Sequence, residues 1–190
     1  MLDTLAVPEP QTPTDAVLAW RTWTLAGSSD GSEVHLLPLF GQRRPWPVRG
    51  PAHASCARRG RHRVPGLDCT CGLYATHSLD ALRRSRDPAV LGTVALWGRI
   101  VEHAAGFRAE YAYPQRLRLV CFVCFWREGP NRGPACEVVV RRRGGRLVPL
   151  CAPDLDLCRR HGYPTHRLLP AHEVEQGMLS SYAVDVLRKI

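Results

Sequence analysis

The placement of the eight cysteines constrains this 190-residue chain more than any other feature. They form two groups that lie far apart in the sequence. The first group consists of Cys56, Cys69 and Cys71. The second consists of Cys121, Cys124, Cys136, Cys151 and Cys158, with His161 three residues later. Spacings of C-x2-C and C-x2-H are typical of zinc sites, because side chains so close in a tight turn reach one ion.

The second group predicts a zinc-ribbon or treble-clef arrangement. A predicted strand leads into the C-x2-C turn, a β-hairpin follows, and another cysteine ends its second strand. The expected ligands are Cys121, Cys124, Cys151 and Cys158, with His161 as the replacement for either of the last two. Asp154 is a less usual carboxylate alternative. Cys136 starts a strand and is interpreted as a small core residue.

The first group needs a fourth ligand to complete a tetrahedron. The candidates are His53, His62, His77 and His103. We favour His103, because it ends the strongest predicted strand and faces away from its more apolar side. With water in the fourth position the site would instead have the open form of a catalytic metal. The cysteines fit one shared zinc ion or two separate ions.

The charge of the chain favours polyanionic partners. The formal net charge is +9 and the pI is about 9.6. Lys189 is the one lysine, so arginine carries nearly all of the positive charge. The planar guanidinium suits phosphate recognition. The residues expected to contact nucleic acid are Arg58, Arg59, Arg61, Arg141, Arg142 and Arg143, although such runs also form ordinary solvated faces.

The pattern of elements predicts an α+β fold with a small β-rich, barrel-like module, a zinc-ribbon-like or treble-clef-like module and a C-terminal helix. The expected divisions are a disordered tail at 1–15, a β-rich module at 16–115, a zinc-ribbon-like module at 116–168 and an amphipathic helix at 169–190. That helix is expected to pack back onto the chain or to form a homodimer.

Several individual elements can be predicted from periodicity and turn residues. They are strands at 20–25, 34–40, 90–103 and 107–113, a short helix at 78–84 with Ser78 as its N-cap, and a hairpin at 137–150. Gly98 is expected to mark either a bulge in the third of these strands or the close approach of another backbone. Pro114 is expected to end the fourth.

We expect a cytoplasmic protein that does not enter a membrane. No stretch approaches the roughly 18 apolar residues of a membrane span, and the N-terminus lacks the pattern of a signal peptide. In a reducing compartment clustered cysteines are metal ligands or free thiols more often than disulfides.

Three stretches resemble a pattern found in bacterial proteins, often from high-GC genomes, that have no established activity. They are Cys69–Ala75 (CTCGLYA), Gly92–His103 (GTVALWGRIVEH) and Gly106–Ala112 (GFRAEYA). The resemblance covers roughly residues 20–115. It implies that the first cysteine group and the hairpin belong to one module, and it brings no functional residue with it.

The expected function is binding, with nucleic acid as the leading partner and catalysis less favoured. One alternative is a protein-interaction adaptor in which zinc is purely structural. A second is a metal-dependent hydrolase with an open site at Cys56, Cys69 and Cys71. The H-x-E…P-C-x-x-C signature of zinc deaminases is absent, which argues against that subclass.

Overall fold

The computed structural model describes residues 12–28, 33–40, 44–58 and 62–189. Within these ranges strands dominate and helices are fewer, so the mixed α and β class predicted from the sequence is confirmed. Most of the predicted tail, residues 1–15, lies outside the described residues. Among the described residues no helix is long and apolar enough to cross a membrane.

The strands are β1 Val17–Gly27, β2 Val34–Pro38, β3 Ala52–His53, β4 Leu73–Thr76, β5 Val90–His103, β6 Gly106–Leu119, β7 Val138–Arg141, β8 Arg146–Leu150, β9 Leu168–Pro170 and β10 Asp185–Val186. The α-helices are α1 Phe122–Arg127, α2 Ala152–Arg160 and α3 Ala171–Tyr182. Two short 3-10 helices span Asp80–Arg84 and Arg143–Gly145.

All of these strands belong to one sheet, which closes into a partial ring. The central strand β5 pairs with β1 on one side and β6 on the other. Strand β4 pairs with β6 and also meets β1 at Trp20 and Thr76. The hairpin β7–β8 joins the same sheet, because Leu147 of β8 pairs with Leu25 of β1. The division of the chain at residues 115 and 116 stays a prediction.

The hairpin β5–β6 is longer than the sequence predicts. The expectation that Pro114 ends the second strand is wrong, since β6 continues to Leu119. Proline is tolerated there because the pairing register shifts between Thr93 and Val94, the partner of Pro114, and an irregularity leaves room for a residue without an N–H. The bulge expected at Gly98 is confirmed by a second register shift and a φ of +74°.

The main core lies between the sheet and α3. Trp23, Leu36 and Leu96 of the sheet pack there with Met178 and Tyr182 of α3. The apolar stripe of the C-terminal helix is therefore buried within its own chain.

Two predicted helices differ from the observed ones. The C-terminal helix begins at Ala171 but ends at Tyr182, so its predicted extension to residue 190 is wrong. Ala183 adopts a left-handed φ of +48°, and the chain then pairs as β10 parallel to β6. The helix predicted at 78–84 is a 3-10 helix, and Ser78 does not cap it.

Candidate metal centres

The second cysteine group forms a buried cluster, which we call the second centre. Its members are Cys121, Cys124, Cys151 and Asp154. One ligand atom from each lies within 4.8 Å of the others, and all four residues are buried. This set fits the geometry of a bound metal ion.

Two successive strand-to-helix junctions build the second centre. Strand β6 leads to Cys121, which precedes α1, and Cys124 lies in the first turn of that helix. Strand β8 leads to Cys151, which precedes α2, and Asp154 lies in the first turn of α2. Residues three apart at a helix start point to the same side. Each junction therefore supplies two ligand atoms. The junction before α1 does so through a C-x2-C motif, and the junction before α2 does so through a C-x2-D motif.

The three thiols converge on a single carboxylate oxygen. Oδ2 of Asp154 accepts hydrogen bonds from the Sγ atoms of Cys124 at 2.9 Å, Cys121 at 3.1 Å and Cys151 at 3.1 Å. The Sγ atoms of Cys124 and Cys151 lie 3.6 Å apart. The edges of a tetrahedral zinc site with sulfur and oxygen ligands are roughly 3.5–3.8 Å. Small side-chain shifts would thus admit the ion.

In the second centre the Asp154 carboxylate favours a cation, whereas burial opposes ionisation of the thiols. Burial raises the pKa of Cys121 to about 12, and burial together with Asp154 raises the pKa of Cys124 further. Burial also opposes ionisation of Asp154, but hydrogen bonds from the thiols outweigh it and lower the pKa of the carboxyl. Without a metal the thiols act as donors to one anion, and a metal ion has to displace their protons.

Cys158 and His161, two of the ligands expected from the sequence, lie outside this set. Cys158 is buried near the end of α2, and His161 is the exposed residue that ends the helix. Cys158 stands seven residues after Cys151, which corresponds to about 10 Å along a helix axis. It therefore cannot converge with the start of α2. Cys136 is half-buried and packs against the main core and against the apolar cluster that contains Cys121, Cys124 and Cys151, consistent with a core residue.

The first cysteine group forms a more exposed cluster, which we call the first centre. Its members are Cys56, His62, Cys69 and Cys71, again with ligand atoms within 4.8 Å of one another. The Sγ atoms of Cys56 and Cys69 are 3.7 Å apart, and Nε2 of His62 lies 3.2 Å from Sγ of Cys71. His62 is exposed and the three cysteines are half-buried.

Arg108 of β6 holds the loop that carries two of these cysteines. Its guanidinium donates hydrogen bonds to the backbone carbonyls of Gly66, Cys69 and Cys71. The backbone N–H of Gly66 in turn donates to Sγ of Cys71 at 3.4 Å. Gly72 follows with a φ of +129°, where a Cβ would lie 2.9 Å from the Cβ of Arg108. The turn before β4 therefore requires glycine.

The thiols of the first centre differ in acidity. A backbone hydrogen bond from Cys71, together with the neighbouring thiols, lowers the pKa of Cys69. A backbone hydrogen bond from Arg58 favours the thiolate of Cys56, but burial and the proximity of Cys69 raise its pKa overall. Cys69 is therefore the more acidic member of this close pair.

His62, rather than the favoured His103, completes the first centre. Strand register explains the difference. His103 pairs opposite Gly106, whereas the residue that follows the cysteine turn, Leu73, pairs opposite Ala109. Three residues along a strand correspond to about 10 Å. The His103 ring instead lies near Tyr74, with 6.2 Å between ring centroids.

Of the six arginines expected to contact nucleic acid, the structure describes four, and two of those four make contacts within the chain. Arg59 and Arg61 lie outside the described residues. Arg58 and Arg143 are exposed. The remaining two are half-buried and make contacts within the chain. Arg141 donates to the carbonyl of Ser28, and Arg142 lies over the Tyr163 ring at 5.8 Å.

Comparison with known proteins adds no relative. No protein-family model, no curated protein and no solved structure matches the chain.

Proposed function

We propose that this chain is a zinc-stabilised basic protein that binds nucleic acid through a surface built around α1. Three thiolates with one imidazole, and three thiolates with one carboxylate, are donor sets that suit zinc among the common metals. Four protein ligands at each centre leave no open coordination position. That supports a structural role for the metals over the hydrolase alternative.

The finer fold assignment belongs to the same proposal. We interpret the partial ring of β1, β4, β5 and β6 as a small barrel-like module. We interpret the second centre as treble-clef-like, because its second ligand pair comes from the first turn of the helix that follows the β7–β8 hairpin. The resemblance to the bacterial sequence pattern would then concern the barrel-like module.

One observation carries the nucleic-acid proposal: an exposed tryptophan and five exposed arginines lie in, or a few residues after, two elements that contact each other, the 3-10 helix Asp80–Arg84 and α1. We call this surface the α1 face; it comprises Arg83, Arg84, Arg86, Trp126, Arg127 and Arg132, all exposed. The elements are in direct contact, since Nε1 of Trp126 donates to the carbonyl of Ser85 at 3.1 Å. Leu82 and Phe125 pack in one apolar cluster beneath them.

Much of the charge on the α1 face is free to meet phosphates. Arg83 and Arg127 each pair with a neighbouring acidic residue, Asp80 and Glu128 respectively. Among the described residues the guanidinium groups of Arg84, Arg86 and Arg132 form no ion pair with an acidic side chain. Exposed guanidinium groups without an acidic partner, on a chain with net charge +9, attract polyanions.

Titration of a labelled oligonucleotide tests the proposal. We would measure the affinity of the zinc-loaded protein for a fluorescent single-stranded DNA by anisotropy at several salt concentrations. Replacing Arg84 and Arg86 together by glutamine should weaken binding. The slope of log affinity against log salt should become shallower by roughly 0.7 for each phosphate that the variant no longer neutralises.

A matched double variant separates this face from the arginine runs. Arg58→Gln with Arg143→Gln removes the same charge from exposed positions in those runs and should change affinity less. A larger decrease in affinity in this control would assign binding to the sequence-predicted loops. Affinity that is independent of salt, or absent altogether, would remove the nucleic-acid proposal and favour the adaptor alternative.

A further inference from the structure

We infer that the α1 face takes single-stranded nucleic acid, with an unpaired base stacked on the indole of Trp126. The inference rests on the proposed function, because it names the kind of nucleic acid that the same face would bind. It goes further in assigning the recognition to one aromatic ring rather than to charge.

Trp126 differs from the other tryptophans in its exposure. Trp23 and Trp46 are buried, and Trp20 and Trp97 are half-buried. Trp126 is 60% exposed. An exposed indole presents a large, rigid apolar surface that a ligand can cover, and its aromatic face can stack.

Several other aromatic rings already have a stacking partner on one face. The Trp97 ring stacks on Tyr111 with 6.0 Å between centroids and 17° between planes, and Tyr111 stacks on His53 at 4.8 Å. The guanidinium of Arg21 lies 4.9 Å from the centre of the Trp46 ring. Within the described part of the chain no second ring and no guanidinium stacks on Trp126. Its indole is thus available to a ligand.

The Trp126 ring is also held in place. Its Nε1 donates to the carbonyl of Ser85, and the preceding residue, Phe125, is buried in the apolar cluster below. A ring fixed by its polar edge loses little conformational entropy when a ligand stacks on it. The hydrogen bond also satisfies the only polar atom of the indole, so the remaining surface offers stacking and not hydrogen bonding.

A single strand fits this arrangement better than a duplex does. In a duplex each base is covered on both faces by its neighbours, whereas an unpaired base presents a free π face. The indole of Trp126 donates its hydrogen bond to the carbonyl of Ser85, and Arg84 and Arg86 are the residues on either side of Ser85 in the chain. We therefore expect both arginines to lie near the phosphates of a nucleotide whose base stacks on Trp126. The expected ligand is therefore a flexible, unpaired segment with little sequence preference.

The test compares three polyanions on the zinc-loaded protein. They are oligothymidylate of about 12 nucleotides, an abasic deoxyribose-phosphate strand of the same length, and a duplex of the same length. The wild-type protein should bind the oligothymidylate most tightly. Trp126→Leu should weaken that binding about tenfold, as the removal of one base–aromatic stack does, and leave the affinity for the abasic strand unchanged. Trp126→Phe should retain part of the preference for oligothymidylate over the abasic strand.

Phe40→Leu is the control, because Phe40 is exposed but lies beyond the end of β2 and outside the α1 face, and it should bind like wild type. Zinc content and circular dichroism verify that each variant is folded. Equal binding of all three polyanions, unchanged in Trp126→Leu, would overturn the inference and leave the proposed function standing. Failure of every polyanion to bind would overturn both.

Discussion

The guanidinium of Arg127 lies 3.5 Å from Oδ1 of Asp154, and this contact links the second centre to the protein surface. The Asp154 side chain is 2% exposed and the Arg127 side chain is 55% exposed. The same arginine donates to Sγ of Cys124 at 3.8 Å. When a divalent metal ion is bound by three thiolates and one carboxylate, the whole site carries two negative charges. The positive charge of Arg127 therefore stabilises the metal-loaded site.

Replacing Asp154 should reveal its part in metal binding. Asp154→Asn removes the anion while keeping the shape of the side chain, and we expect loss of one zinc per chain. Asp154→Cys restores an anionic ligand and should retain zinc, since four thiolates form a common structural zinc site. Zinc per chain, measured by elemental analysis on purified protein, distinguishes the two outcomes.

Asp156→Asn is the control for this pair, because Asp156 is exposed on the same helix, two residues further on. It should keep full zinc. If Asp154→Asn also keeps full zinc, the second centre does not need the negative charge of the Asp154 carboxylate to hold the ion.

His62→Ala should remove the metal from the first centre, whereas His103→Ala should not. The Nε2 atom of His62 lies 3.2 Å from Sγ of Cys71, while strand register keeps His103 with Tyr74. Metal content after washing with a mild chelator is the measurement. Loss of zinc in His103→Ala with retention in His62→Ala would reverse the assignment.

Arg127→Gln should weaken zinc binding at the second centre without abolishing it. The substitution removes a positive charge next to Asp154 and Cys124 but leaves all four ligands in place. Since Arg127 is exposed and water screens its charge, we expect an effect at or below the lower end of the 10–100-fold range for outer-shell partners. Competition with a zinc-binding dye measures the change. A loss as complete as that in Asp154→Asn would contradict this view of Arg127.

The two centres should lose zinc at different rates. The first centre has an exposed histidine and half-buried cysteines, whereas every ligand of the second is buried. A chelator therefore reaches the first centre more easily. A dye that reports released zinc should show a fast and a slow phase, and Cys69→Ser should lack the fast one. A single phase in the wild-type protein would indicate one shared site or equal access.

Strands, bulges and ligand pairs whose signal lies within a short stretch of sequence could be predicted from the sequence. Alternation of apolar residues gave the long strand Val90–His103, and Gly98 marked its bulge. The C-x2-C spacing indicated that the side chains of Cys121 and Cys124 lie close together, and both belong to the second centre, although a helix start and not a tight turn holds them. In each case the signal lies within a few residues, so no knowledge of the tertiary structure was needed.

The fourth ligands depended on information that is not local. Asp154 joins the second centre because α2 starts directly after Cys151, whereas the expected site took its last ligand from Cys158 or His161. The C-x2-D spacing carries that signal once the helix start is known. His62 joins the first centre because β4 pairs with β6 in a register that moves His103 away. Such a register is set by packing and not by spacing.

Tyr182 provides a test of the core that does not involve metal. Its hydroxyl accepts a hydrogen bond from the backbone N–H of Leu36 at 2.9 Å and donates one to the carbonyl of Trp46 at 3.0 Å. Tyr182→Phe leaves both buried backbone groups without this partner and should lower the free energy of unfolding by about 1–3 kcal/mol. Denaturation in urea of the zinc-loaded proteins measures the difference, and no loss of stability would show that water replaces the hydroxyl.

The pH dependence of the same residue follows from its environment. Burial raises the pKa of Tyr182 to about 12 from an ordinary value of 10.0. Between these two pH values the folded protein therefore keeps the phenolic proton of Tyr182, whereas the unfolded chain has lost it. Stability from this group is complete below pH 10 and decreases as the pH rises from about 10 towards 12. Tyr182→Phe should lose less stability over that range than wild type, because phenylalanine has no proton to release. An equal alkaline loss in both proteins would assign the effect to other groups.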